Sequence, residues 1–121
     1  MYGDSHSHVN GYSDDDMARM LAKARSNKVE IVVGVGNTLD SSEATIESSR
    51  RFSGLVPAVG IHPWFPTILD KETMERLRRL ASQKEVAAIG EVGIDLVKQP
   101  LFEIETICGI QDIGREESGI I

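Results

Sequence analysis

Two histidines near the amino terminus have a spacing that suits a metal site. Residues 2–7 form a predicted short first strand that ends in Asp4-Ser5-His6-Ser7-His8. Side chains at positions i and i+2 of a strand point to the same side, so His6 and His8 can direct two imidazoles at one point. Imidazole binds zinc and other first-row divalent cations. The alternative is a pair of polar residues at a frayed terminus, which this motif alone does not exclude.

Two further polar segments follow predicted strands. Gly90-Glu91-Val92-Gly93-Ile94-Asp95 begins where the fourth strand ends, and Glu91 there could bridge two cations with Asp95 in support. His62, followed by Pro63 and Trp64, stands where the third strand becomes a loop. The alternatives are a solvated acidic turn, a structural histidine, and a tryptophan that covers the rim or lines a pocket.

The elements that must position these residues alternate along the chain. Residues 2–7 are a short, weak first strand, and apolar runs predict further strands at 31–35, 55–61 and 86–89. Helical patterns begin after Ser13, with Asp40 and Glu43 as the capping pair of a helix over roughly 41–52, and again from Asp70. This α/β alternation predicts a parallel sheet, which places all three polar segments at the carboxyl ends of strands. A fourth helix around 102–110 and the start of a fifth strand at 119–121 are weaker expectations.

Composition and charge narrow the classes of function. The 121 residues carry a net charge of −6, which argues against binding nucleic acid by broad phosphate neutralisation. Bound cations can supply positive charge locally, so a metal-dependent enzyme is not excluded. No signal peptide or membrane span is visible and Cys108 is the single cysteine, so we expect a cytoplasmic protein that does not engage membranes. The arginine groups at 50–51 and 76–79 are interpreted as solvated helix faces.

The three segments resemble motifs of the TatD-like family of metal-dependent deoxyribonucleases. Residues 4–8 match its opening Asp-[Ser/Thr]-His-x-His, and residues 60–63 match its Gly-[Ile/Val]-His-Pro segment. Residues 90–95 match its Gly-Glu-[Ile/Thr/Val]-Gly-[Leu/Ile]-Asp segment. The resemblance covers roughly residues 3–97 and leaves 98–121 as a poorly matching tail.

The resemblance implies the amino-terminal half of a (β/α)₈ TIM barrel, with residues 1–121 as one partial domain of about four βα units. It implies one to three divalent cations, of which we expect two, either Mg²⁺, Mn²⁺ or Zn²⁺, and metal-assisted hydrolysis of a phosphodiester substrate such as DNA. His6 and His8 would bind one metal, Glu91 would be the catalytic bridge to the second, and His62 would bind the substrate phosphate. Asp4 and Asp95 would support the site.

This sequence also departs from the family pattern. Asn10 stands where the family often has aspartate, and Trp64 stands where a second histidine is common. The family's remaining ligands, two histidines and a late aspartate from later strands, have no counterparts among the 121 residues. We therefore expect an incomplete active site and little turnover from this chain alone.

Three other interpretations stay open at this point. Two copies of a half-barrel could pair through their open sheet edges and form a homodimer. A degenerate domain could bind metal or a partner without turnover. Another metallophosphoesterase with a His-x-His opening, of the polymerase-and-histidinol-phosphatase type, is the alternative enzyme.

Overall fold

The computed structural model describes residues 1–64 and 70–93. The strands are β1 (Tyr2–Ser7), β2 (Val29–Val35), β3 (Leu55–Val59) and β4 (Ala88–Ile89), and the helices are α1 (Asp14–Ser26), α2 (Leu39–Arg51) and α3 (Lys71–Ala81). The expected elements in 98–121, and Asp95, lie outside the described residues.

The four strands form one parallel sheet in the order β1-β2-β3-β4. Each strand pairs with the next one along the chain, and a helix connects each pair. This is the strand order of one half of a (β/α)₈ barrel, in which successive βα units lie side by side. The predicted α/β half-barrel is therefore confirmed.

The hydrophobic core lies between the sheet and its helices. One cluster joins the start of the sheet to α1, with Met17 and Leu21 packed near Val32 and Leu55. A second cluster joins β3 to α2 and α3, and its buried members are Ile46, Val59, Ile61, Leu77, Leu80 and Ala81. The other face of the sheet is more open: Ile31 is 47% exposed, and Val33 and Val56 are half-buried.

Helix α2 begins earlier than the sequence pattern indicated. The predicted capping pair of Asp40 and Glu43 is wrong, because Thr38 is the N-cap and accepts a hydrogen bond from the Ser41 backbone amide. The Ser41 hydroxyl in turn accepts from the Thr38 amide at 2.9 Å, which completes a capping box. Serine can replace the glutamate of the usual box because both offer an oxygen acceptor.

The strand boundaries also differ from the predicted ones. β2 begins at Val29, β3 ends at Val59, and β4 contains only Ala88 and Ile89. Ile61 is buried in the second core cluster and Val86 packs against it, although neither belongs to a strand. Ala87 is exposed, and its backbone amide donates to the Pro57 carbonyl of β3 at 3.0 Å. Apolarity therefore marked burial and not strand pairing at Ile61 and Val86.

The arginine groups do more than face solvent. Arg76 of α3 donates to Asp40 and Glu43 of α2, at 2.7 Å each. The hydrogen bonds that Glu43 and Asp40 accept raise the pKa of the Arg76 guanidinium. Arg51 pairs with Asp14 of α1, and Arg50 pairs with Glu85 before β4. Pairs of this kind contribute little to stability individually, but these four pairs link successive βα units across the outer surface.

Candidate metal centre

The side chains of His6, His8 and Glu91 converge at the carboxyl end of the sheet. His6 Nε2 lies 3.2 Å from His8 Nε2 and 3.0 Å from Glu91 Oε1. The three residues offer ligand atoms that all lie within 4.8 Å of one another. The sequence separates the histidines from Glu91 by more than 80 residues, and the parallel sheet brings them together because β1 and β4 end on the same side.

The partner of His8 fixes which nitrogen of its ring is available. His8 Nδ1 lies 3.2 Å from the backbone carbonyl oxygen of Val35, at the end of β2. A carbonyl can only accept, so Nδ1 carries the proton and Nε2 presents its lone pair. A hydrogen bond of this kind commonly orients a metal-binding imidazole. The backbone of Val35 thus leaves His8 Nε2 available to a cation.

The distances within the cluster fit a divalent cation. Two imidazole nitrogens bound tetrahedrally to Zn²⁺ at about 2.0–2.1 Å lie about 3.3 Å apart, close to the 3.2 Å between the two Nε2 atoms. Among the described residues, the buried Oε2 of Glu91 has no hydrogen-bond partner. His8 Nε2 and His62 Nε2 approach that oxygen at 3.7 and 3.5 Å without hydrogen bonding to it. A bound cation would satisfy this carboxylate oxygen, since buried polar atoms normally have partners.

His62 also faces the Glu91 carboxylate, but its ring carries the proton on the nitrogen that His8 leaves unprotonated. The backbone N–H of Trp64 donates to His62 Nδ1 at 3.0 Å, so in the neutral ring Nε2 carries the proton. That Nε2 lies on the side of Glu91, 3.5 Å from its Oε2. His62 therefore presents a hydrogen-bond donor next to the cluster, whereas His8 presents a lone pair.

Ser42, which the sequence did not single out, and the motif residue Gly60 lie behind the backbone of Glu91. The hydroxyl of Ser42, which is fully buried on α2, accepts from the Gly60 amide at 3.2 Å and donates to the Gly60 carbonyl at 3.3 Å. Gly60 lies against the backbone of Gly90 and Glu91, where a Cβ would be 2.5 Å from the Glu91 carbonyl oxygen. A buried serine on a helix gives no sequence signal of this role, although the glycine before Ile61-His62-Pro63 hints at a close contact.

The two predicted supporting acids have different outcomes. The Asp4 carboxylate accepts a hydrogen bond from the His6 backbone amide at 3.1 Å and is not one of the three converging ligands. Asp95 lies outside the described residues. A cavity of about 420 Å³ opens beside the cluster, lined by His6, His62 and Glu91 and by apolar residues of the sheet's open face.

None of the helices in the described part of the chain has the length and apolar character of a membrane-spanning helix.

Comparison with known proteins identifies the family. The sequence model of the TatD related DNase family matches residues 3–106. The chain belongs to this family. The match includes the histidine pair, His62 and Glu91, so the resemblance seen in the motifs is confirmed, and it decides against the polymerase-and-histidinol-phosphatase alternative.

Curated relatives carry names of the same kind. The chain is 38% identical over 82 residues to the 3′-5′ ssDNA/RNA exonuclease TatD of Cronobacter turicensis, a match that covers 68% of this chain and 31% of the relative. It is 31% identical over 120 residues to the uncharacterized metal-dependent hydrolase YcfH of Escherichia coli K12, covering 93% of this chain and 44% of YcfH. The chain thus spans less than half the length of these relatives.

Solved structures show the same fold at low identity. YjjV, a TatD homolog from Escherichia coli K12, has a TM-score of 0.69 and 20% identity, over 96% of this chain and 44% of its own. A TatD family hydrolase from Entamoeba histolytica gives 0.69 and 19%, over 93% and 44%. The described half-barrel therefore corresponds to under half of each of these proteins.

Proposed function

We propose that His6, His8 and Glu91 hold a divalent cation and that the protein contributes to phosphodiester hydrolysis in nucleic acid at a two-metal centre. The observation that carries this proposal is the convergence of two imidazole nitrogens and one carboxylate at the carboxyl end of a parallel sheet, where TIM-barrel enzymes have their active sites. Bound divalent cations would acidify water and stabilise the charge that develops on phosphate oxygens.

Each side chain has a role that follows from its contacts. His6 and His8 are metal ligands through Nε2, and the Val35 carbonyl sets the ring orientation of His8. Glu91 has one oxygen near His6 and a second, buried oxygen directed toward His8 and His62, so its two oxygens can serve two cations. His62 donates from Nε2 to a substrate phosphate oxygen placed beside Glu91.

A nucleic-acid substrate is supported by the names of the relatives, and the negative charge of the chain is compatible with it only if cations are bound. The Cronobacter relative is named an ssDNA/RNA exonuclease. With a net charge of −6, this protein needs bound cations to attract a phosphate backbone, in agreement with a metal-dependent reaction. We place the activity in the cytoplasm, with DNA as the first substrate to test.

Metal binding and hydrolysis test this proposal at different levels. The 121-residue chain should bind Mn²⁺ or Zn²⁺ in a calorimetric titration, and Glu91→Gln should weaken that binding while the matched change at an exposed helical acid, Glu75→Gln, leaves it unchanged. In a protein with the complete ligand set, Glu91→Gln should lower kcat at least about a hundredfold, a loss of several kcal/mol of transition-state stabilisation. Undiminished metal binding and turnover in Glu91→Gln would refute the role of Glu91.

Two alternatives are outcomes of the same experiments. Metal binding without turnover in a protein that carries the complete ligand set would favour a non-catalytic domain. The homodimer stays a prediction: within the described sheet, β1 and β4 each pair on one side only, and such edges invite pairing with another chain. Sedimentation velocity of the chain decides between monomer and dimer.

A further inference from the structure

The tryptophan beside His62 is exposed in an unusual place. Trp64 is 59% exposed, whereas tryptophan is on average a highly buried residue. It follows β3 on the same rim of the sheet as the metal cluster, two residues after His62. An exposed indole beside the metal cluster is positioned to contact a molecule that binds at this edge of the sheet.

Trp64 is connected to the cluster by direct contacts. Its backbone amide donates to His62 Nδ1 at 3.0 Å, and its ring meets the His62 ring edge-to-face, with centroids 5.2 Å apart and planes at 72°. The other side of the same imidazole lies 3.5 Å from Glu91 Oε2. The indole is thus separated from the metal ligand by the width of one imidazole ring.

Resting on the function proposed above, we propose that Trp64 is a stacking platform for a nucleobase of the substrate. The base would stack on the indole while its phosphate lies between His62 Nε2 and the metal cluster. Aromatic side chains bind single-stranded nucleic acid in this way without regard to base identity. The net charge of −6 makes such a contact more important, because the chain as a whole repels the phosphate backbone.

A stacking site at Trp64 would restrict the strand state of the nucleic acid that binds there. A base that stacks on Trp64 must be unstacked from its neighbours, so the site takes single-stranded or end-frayed nucleic acid and not an intact duplex. Because stacking reads the face of the base and not its hydrogen-bonding edge, selectivity among the four bases should be weak.

The chain allows a direct measurement because Trp64 is its only tryptophan. A short oligothymidylate in Mg²⁺ should quench the intrinsic fluorescence saturably, and an abasic oligonucleotide with the same number of phosphates should not. Equal quenching by the abasic strand, or no quenching by oligothymidylate, would overturn the proposal.

Variants separate stacking from simple proximity. By the anisotropy of a labelled oligothymidylate, Trp64→Ala should bind about 5- to 150-fold more weakly, the range expected for one stacked base, whereas Trp64→Phe should retain most of the affinity. Unchanged affinity in Trp64→Ala would contradict the platform.

Metal titrations of the same samples distinguish the two proposals. Intact metal binding in Trp64→Ala together with lost oligonucleotide affinity supports the stacking site. Normal metal binding with unchanged oligonucleotide affinity in Trp64→Ala refutes the stacking site alone. If the wild-type chain binds no divalent metal, the proposed metal centre is refuted, independently of the result for Trp64.

Discussion

Replacing Gly60 by alanine should weaken metal binding at the proposed centre without altering any of the three proposed ligands. The new Cβ would lie 2.5 Å from the Glu91 carbonyl oxygen, 2.5 Å from the Gly90 carbonyl carbon and 2.7 Å from the Glu91 amide nitrogen. Real Cβ contacts essentially never fall under 3.0 Å, so the Glu91 backbone must move by about 0.5 Å. Gly60 cannot easily retreat, because the Ser42 hydroxyl holds both its amide and its carbonyl.

The expected magnitude follows from the tolerance of metal sites. Ligand distances must hold within about 0.2 Å, so a displacement of about 0.5 Å separates Glu91 from the position set by His6 and His8. Changing a residue that orients a metal ligand commonly lowers metal affinity about 10- to 100-fold, and we expect a loss in this range for Gly60→Ala. The same overpacking should lower the free energy of unfolding by about 1–3 kcal/mol.

Calorimetric metal titration and urea unfolding measure the two effects separately. Gly93→Ala is the matched control: it lies two residues from Glu91, and a Cβ there would lie within 4 Å of none of the residues that the structure describes. Gly93→Ala should therefore bind metal as the wild type does. If Gly60→Ala were folded and bound metal with wild-type affinity, the claim that this backbone contact positions Glu91 would be refuted.

Two further predictions concern a helix cap and two acidic side chains outside the candidate site. Thr38→Ala removes the acceptor for the Ser41 amide and should lower the free energy of unfolding, measured in urea, by about 1 kcal/mol. Thr38→Ser keeps a hydroxyl acceptor and should keep most of that stability. Equal losses in the two variants would refute the capping role of the Thr38 hydroxyl. A hydrogen bond from Arg50 lowers the pKa of Glu85, and hydrogen bonds from Thr73 lower that of Asp70. The ionised carboxylates of Glu85 and Asp70 therefore stabilise the fold at a pH above their ordinary pKa values of 4.5 and 3.8. This stabilisation is lost as the pH falls through their lower pKa values in the folded protein. Urea unfolding across this acidic range should show a smaller loss of stability in Glu85→Gln, and an unchanged profile would contradict the assignment.

Much of the fold follows from local sequence patterns. The apolar runs and the helical periodicity predicted a parallel sheet, and the sheet alone brings His6, His8 and Glu91 to one edge. Boundaries were less predictable, because Ile61 and Val86 are apolar and pack into the core without pairing in the sheet. The start of α2 was missed because a serine and not an acidic side chain completes the capping box.

The supports of the site could not be predicted because they act through the backbone. The Val35 carbonyl sets the tautomer of His8, and the Trp64 amide sets that of His62, yet neither role depends on the side chain of the residue. Likewise, Ser42 reaches Gly60 only because α2 packs on β3, a contact between segments 18 residues apart. Three-dimensional packing was needed to show these relations.

Anomalous diffraction from a crystal of the chain soaked in Zn²⁺ or Mn²⁺ tests the metal centre most directly. The account predicts a peak bonded to His6 Nε2, His8 Nε2 and a carboxylate oxygen of Glu91, at about 2.0–2.2 Å for Zn²⁺. A crystal with metal bound elsewhere on the chain and no peak between these three side chains would contradict it.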